Sequence, residues 1–231
     1  MSDGSATEYS LTTDHQPLIT QFWHTLKTFF QKPQVWDGIC FMLFYRMPEG
    51  LLAKVSALFL IDTAAKGGLG LSPAEYGLVQ GTVGVIGLTL GGILGGIVAS
   101  RDGLKRWLWP MVLAITLPDL VYVYLSYALP ESLLIVNVCV FIEQFGYGFG
   151  FSAYMLYLIY YSQGEHKTAH YALCTAFMAL SMMIPGLFAG ALQESVGYPT
   201  FFLIVVAACT MTYVVTALLR IDPEFGKKKQ E

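Results

Sequence analysis

Apolar residues gather in six long stretches along this chain, at about 35–61, 73–99, 107–127, 132–161, 168–192 and 199–219, with short polar breaks between them. A helix needs roughly 20 apolar residues to cross a bilayer, so each stretch predicts a spanning helix. Ser72-Pro73-Ala74-Glu75 opens the second with a helix-start signature: Ser at the cap, Pro at the first position and Glu in the first turn. Ahead of the first, LITQFWHTLKTFF sets Ile19, Phe22, Trp23, Leu26, Phe29 and Phe30 at helical spacing, with Thr20, His24, Lys27 and Thr28 between them. This pattern predicts an amphipathic helix ended by Lys32-Pro33. It lies on the membrane surface or docks on the protein's own polar face. Residues 1–16 are polar and read as a disordered tail.

The fold expected is therefore an all-α membrane protein. Residues 1–33 form a tail or linker carrying the amphipathic helix, 34–220 a six-helix transmembrane domain, and 221–231 a basic tail. Composition agrees: 55% of residues are hydrophobic and 13% charged, about half the charge of a soluble domain. The net charge of −3 says less than its distribution. With the first residues inside, Lys27, Lys32, Arg101, Lys105, Arg106, Lys167, Arg220, Lys227, Lys228 and Lys229 fall on the inner side, and Lys66 alone on the outer. By the positive-inside rule both termini are cytoplasmic. Cys40, Cys139, Cys174 and Cys209 sit in four different apolar runs with no CxxC pair, which points to small buried side chains rather than a disulfide framework or zinc site. No signal peptide is expected, because no cleavage pattern follows the polar leader.

Charge inside the apolar runs is where chemistry is to be sought. FYRMPEGLLAK puts Arg46, Glu49 and Lys54 in the first stretch, with Pro48 between the first two. A charge at mid-span is unfavourable by about 2.5–3.5 kcal/mol on insertion scales. On one continuous helix Arg46 and Glu49, three apart, share a face and can pair. That pair either fixes helix packing or forms the polar lining of a transport pathway. Asp119 follows Pro118 in the third span, with Thr116, Tyr122 and Ser126 near its face. Glu143-Gln144 lies deep in the fourth, and Tyr147, Gly150, Tyr154, Tyr157 and Tyr161 extend Glu143's face. The glycines of the second span, several of them four apart, predict close helix packing. The sixth span carries no charge and reads as a lipid-facing support.

Between the second and third spans, GGIVASRDGLKRW resembles the loop motif of the major facilitator superfamily through Gly96, Arg101, Gly103 and Lys105, with Ser100 standing where an acid is expected. FYRMPEG, KGGLGLS, GTVGVIGLTLGGILGG, FIEQFGYGFGF and RIDPEF resemble the C-terminal half of the muropeptide-permease (AmpG-like) family, of which the acetyl-coenzyme A transporters are a related branch. The resemblance implies one half of the superfamily fold, two inverted three-helix units, and proton-driven import of anhydro-muropeptides across a bacterial inner membrane. It implies that Glu49, Glu143 and Asp119 couple protons, and that Arg46, Lys54, Gln144, Tyr147 and Tyr154 meet the substrate. It also implies a partner, either a complementary N-terminal half or a second copy, within the lipid bilayer. No cofactor, metal or nucleic acid is expected. His166 and His170, four apart, read as a solvated helix start. Two rivals stand beside this reading. One is an intramembrane serine protease, recommended by Gly150-Phe151-Ser152-Ala153 but lacking a histidine base in the sixth span. The other is a non-transporting remnant or assembly subunit. A transporter of another anionic solute, such as an acyl-coenzyme A, is a third possibility.

Overall fold

In this computed structural model residues 18–226 are described, and all their regular structure is helical. The tail expected over 1–16 and the lysines at 227–229 lie outside the described residues. α1 (Leu18–Phe30) precedes α2 (Val35–Phe44) and α3 (Met47–Ile61), after which a loop with a 3-10 turn (Ala64–Lys66) leads to α4 (Pro73–Tyr76). α4 continues through a π-helical stretch (Gly77–Gly84) into α5 (Val85–Asp102). α6 (Leu104–Thr116), a 3-10 turn (Leu117–Asp119) and α7 (Leu120–Ala128) form the next rod, then α8 (Leu133–Ser162) and α9 (Lys167–Leu218).

Four of these rods are long and apolar enough to cross a bilayer, at Pro73–Asp102, Leu104–Ala128, Leu133–Ser162 and Lys167–Leu218. The last has 52 residues, about 78 Å of helix against a hydrocarbon core of about 30 Å. It turns back at Gly197, whose φ of 77° and ψ of 164° are not helical. Its neighbours trace the reversal along α3. Gly50 lies against Met182 and Pro185, Phe59 meets both Tyr198 and Phe202, and Tyr45 accepts a hydrogen bond from Thr212. α9 is thus two antiparallel crossings, and α2 with α3 makes a further, interrupted one. Six crossings result.

The first crossing departs from the single helix expected over 35–61. α2 ends at Phe44, and α3 starts at Met47 with Arg46 as its cap and Pro48 in its first turn. A proline lacks an N–H and is tolerated at a helix start, where that donor would be idle. Pro118 opens the 3-10 turn of the third crossing in the same way. Carbonyls near these breaks must find other donors in an apolar medium, and hydroxyls supply them. Tyr154 donates to Met42 O at 2.6 Å, Thr212 to Tyr45 O at 3.0 Å, and Thr116 to Val112 O at 2.8 Å while pairing with the Tyr213 hydroxyl. The lipid-facing support expected of the last crossing is therefore corrected: it also packs and hydrogen-bonds inside the bundle. It buries Tyr198, Phe201, Phe202, Val205, Cys209 and Thr212 against the first and third crossings.

α8 sits between α5 and α6, and small residues bring the backbones together. Gly87, Gly91 and Gly95 of α5 face Phe141, Phe145 and Phe149 of α8, while Gly146 and Gly150 of α8 face Ala114 and Met111 of α6. Gly77, Gly81 and Gly96 have no neighbour within 4 Å, so the glycine-rich face divides into a used and an unused edge. Ser72 caps α4 as its sequence predicted: its hydroxyl accepts from Glu75 N at 3.3 Å and its own N–H donates to Glu75 Oε2 at 2.8 Å.

Basic residues collect at one end of the bundle. There Lys32 reaches the Tyr161 and Gln163 carbonyls that close α8, and burial lowers the pKa of its amine. Gly103, at φ 87°, turns α5 into α6. Asp102 accepts Trp107 Nε1 at 2.9 Å and pairs with Arg106 at 3.6 Å. The tail docks beside this turn, with Leu104 N donating to Phe225 O and the Phe225 ring 4.8 Å from that of Tyr160. α1 uses one edge to dock: Phe29 is fully buried, and the Thr28 hydroxyl lies 3.1 Å from His170 Nε2. Phe22, Trp23 and Phe30 point outward, so the helix docks on the protein through one edge and leaves an apolar face exposed. His170 is buried rather than solvated, and His166 packs against the His24 ring. At the opposite end Asp62 accepts the Tyr198 hydroxyl at 2.6 Å and pairs with Lys66 at 3.8 Å.

Candidate functional site

Glu49 stands in the first turn of α3, Asp119 closes the 3-10 turn of the third crossing, and Glu143 lies midway along α8. The two chain breaks and the central helix meet at one depth. One carboxylate oxygen of each residue lies within 4.8 Å of the other two. All three are buried, at 6%, 3% and 3% exposure. Glu143 Oε2 accepts the Gln144 amide at 3.0 Å, and Asp119 Oδ2 accepts the Cys209 thiol at 3.3 Å. The fully buried Tyr122 hydroxyl faces Ser56 and Glu143 without a well-formed hydrogen bond to either. Among the described residues, the ion pairs within 4 Å are Lys66–Asp62 and Arg106–Asp102, both at bundle ends; Arg46 acts on Glu49 from beyond ion-pair distance.

The Arg46–Glu49 ion pair expected from sequence is therefore absent. Arg46 is the cap residue of α3, with φ −105° and ψ 7°, and Glu49 lies in its first turn, so the guanidinium acts on Glu49 electrostatically without reaching ion-pair distance. Its guanidinium instead donates to the Tyr147 hydroxyl and lies 4.5 Å from the Phe151 ring centre, flanked by the rings of Tyr147 and Tyr154. A planar, weakly hydrated cation suits such an aromatic cradle. Its Nε has no partner.

The other expected substrate contacts separate into two groups. Gln144 and Tyr147 are half-buried beside the carboxylates and Arg46. Tyr154 is fully buried, stacked on Tyr45 and Phe41, and its hydroxyl donates to Met42 O, so it braces the break in the first crossing. Tyr157 and Tyr161 likewise pack on Phe41 and Phe29. Lys54 is exposed, its stem beside Gly186, and is not drawn into the cluster. The loop residues Gly96, Arg101, Gly103 and Lys105 lie at the basic end, away from the carboxylates. Ser56, Tyr122 and Cys209 were missed as site residues: each is one small polar group in an apolar run, and only Tyr122, near Asp119's face, gave a hint.

The sequence profile of the Major Facilitator Superfamily matches residues 42–231. This chain belongs to that superfamily. It is 26% identical over 202 residues to the anhydromuropeptide permease of Escherichia coli K12, covering 87% of this chain and 40% of that protein. It is 24% identical over 197 residues to an uncharacterised protein of Haemophilus influenzae, 81% of this chain and 45% of that one. A Rickettsia bellii protein named putative transporter AmpG 2 is 23% identical over 199 residues, 86% of this chain and 48% of its own. The chain spans about half the length of the curated relatives it matches. As a superfamily member it is a multi-pass membrane protein of a transporter family, and the protease reading falls. Ser152, the nucleophile that reading needs, donates its hydroxyl to the Gly92 and Gly148 carbonyls and serves the α5–α8 contact.

Proposed function

We propose that this chain is a six-helix half of a proton-coupled importer of peptidoglycan-derived anhydro-muropeptides in a bacterial inner membrane. The observation that carries the reading is the convergence of Glu49, Asp119 and Glu143, from three different crossings, on one buried point. Three carboxylates so close in a low-dielectric interior cannot all remain ionised without added positive charge. Loading and unloading protons there changes the charge of the bundle centre, which is what coupling requires. Arg46 and Tyr147 beside the triad offer a cation and a phenol to an anionic sugar–peptide. The permease relatives supply the substrate class.

Uptake by this superfamily rocks one six-helix half against another around a site between them. Vesicles holding this chain alone are expected to show no muropeptide uptake driven by a proton gradient, and vesicles also holding a complementary N-terminal half to show it. Robust uptake by the chain alone would sink the two-half reading and favour a working homodimer.

The basic end, with Lys27, Lys32, Arg101, Lys105, Arg106, Lys167 and Arg220, faces the cytoplasm in this reading. A cysteine placed in the 62–71 loop of a cysteine-free background should react with a membrane-impermeant maleimide in intact cells. One at Arg101 or Lys105 should react only after permeabilisation. The opposite pattern would reverse the orientation.

A further inference from the structure

Lys32 and Arg220 share the wall of a cavity of about 300 Å³ at the basic end, where α2 begins and where α8 and α9 end. Tyr157, Tyr160 and Tyr161, from the last turns of α8, make up much of the rest. This cavity has donors to spare. Arg220 makes no hydrogen bond or ion pair among the described residues. The Lys32 amine donates to the Tyr161 and Gln163 carbonyls, which leaves one of its three N–H groups uncommitted. The Tyr160 hydroxyl accepts Asp222 N at 3.4 Å and has no acceptor for its own proton. The Tyr161 hydroxyl is buried without any partner, in a residue only 8% exposed.

No acidic side chain lines the cavity. Asp37 and Asp222 stand near its tyrosines without entering its wall. Two cations and unpaired O–H groups with no acid among them call for an anion that carries several acceptor oxygens. A phosphate meets that description, because its oxygens take a guanidinium fork and an ammonium at once. The surroundings select a lipid over a free phosphate. Three crossings end here, which sets the cavity at the depth of the headgroups. Phe30 and Trp36 flank Lys32 in the chain, their rings 6.5 Å apart, and they stand 44% and 70% exposed. Amphipathic aromatic rings at that depth sit against headgroups and the first acyl carbons. A free phosphate ion would leave them uncovered, whereas a phospholipid covers them with the molecule whose phosphate enters the cavity.

We propose that this cavity holds the phosphodiester of an anionic phospholipid, with Arg220 and Lys32 on its oxygens and the acyl chains passing over Phe30 and Trp36. A zwitterionic headgroup would bring its own cation up to two others. That the lipid comes from the cytoplasmic leaflet rests on the orientation proposed above; the contact itself does not.

The test takes the full chain from nanodiscs holding equal amounts of phosphatidylglycerol and phosphatidylcholine with the same acyl chains. Native mass spectrometry counts the lipid that stays bound. One retained phosphatidylglycerol per chain is expected, at about tenfold or more over phosphatidylcholine. Arg220→Gln should lower that preference about tenfold. Arg220 is exposed and without partners, so this variant should keep the wild-type melting curve. Lys105→Gln removes the same charge from the same end but outside the cavity, and should change the preference by no more than about twofold. Excess inorganic phosphate should not displace the lipid. Equal retention of the two lipids would overturn the proposal, as would a preference that survives Arg220→Gln or falls equally with Lys105→Gln. Displacement by inorganic phosphate would make this a free-phosphate site and overturn it too. None of these measurements involves transport, so failed uptake leaves the lipid site intact, and failed lipid binding leaves the importer reading untouched.

Discussion

Glu143→Gln is expected to abolish accumulation driven by a proton gradient while leaving substrate exchange across the membrane nearly intact. Glutamine keeps the size of the side chain and its place on α8, and it preserves hydrogen bonding with Gln144. What it removes is the carboxylate that comes within 4.8 Å of both Glu49 and Asp119. With that charge fixed at zero, the centre no longer cycles between loaded and unloaded states, and the gradient has less to act on. A drop of about 100-fold in gradient-driven uptake corresponds to about 2.7 kcal/mol at 1.36 kcal/mol per decade. Exchange needs no net ion movement and should change by no more than about threefold. The measurement is paired uptake and counterflow in vesicles holding the complete two-half transporter. Equal loss of both would make Glu143 a substrate or folding residue, and loss of neither would remove it from coupling.

The second large effect is structural. Gly91→Ala is expected to strip most of the folded protein from the membrane, whereas Gly96→Ala, only five residues along the same helix, is expected to have no effect. At Gly91 the new methyl would run into the Phe145 carbonyl oxygen and the Phe149 N–H region of α8. Those are backbone atoms of a helix pressed from its other side by α6, through Gly146 and Gly150, so they have little room to yield. Overpacking by one methyl typically destabilises by about 1–3 kcal/mol, and a backbone obstacle puts this site at the upper end. Gly96 has nothing within 4 Å, and alanine there gains helix propensity. Detergent-resistant folded yield by fluorescence-detected size exclusion, with urea unfolding of what survives, separates the two. Equal yields would mean that α5 and α8 are not in backbone contact.

The glycine pattern shows how far patterning reaches. Small residues four apart signal close approach, but Gly77, Gly81, Gly87, Gly91, Gly95 and Gly96 look alike on paper. Which of them touch α8 depends on the rotation of α5, and that is a property of the packed bundle. Proline behaves similarly. Pro110 and Pro185 sit inside continuous helices, while Pro48 and Pro118 begin new elements. A spanning helix tolerates proline wherever neighbours re-satisfy the freed carbonyl, so the local sequence cannot tell the two outcomes apart. The hydroxyls that serve the breaks at Met42, Tyr45 and Val112 come from Tyr154, Thr212 and Thr116. Two of these partners are more than 100 residues away.

Six crossings, the amphipathic helix before them, the capped start at Ser72 and the gathering of basic residues at one end all follow from the chain's own pattern. Each depends on local energetics: apolar length against bilayer thickness, orphan N–H groups at a helix start, and charge kept out of hydrocarbon. Tertiary structure alone decided that Arg46 donates to Tyr147 within an aromatic cradle instead of forming an ion pair with Glu49, that Tyr154 braces a break, and that the chargeless last crossing hydrogen-bonds two others. It also decided that Glu49, Asp119 and Glu143 share one point. Those outcomes turn on where helices stop and how they rotate against one another. Acids 70 and 24 residues apart become neighbours only when their crossings pack.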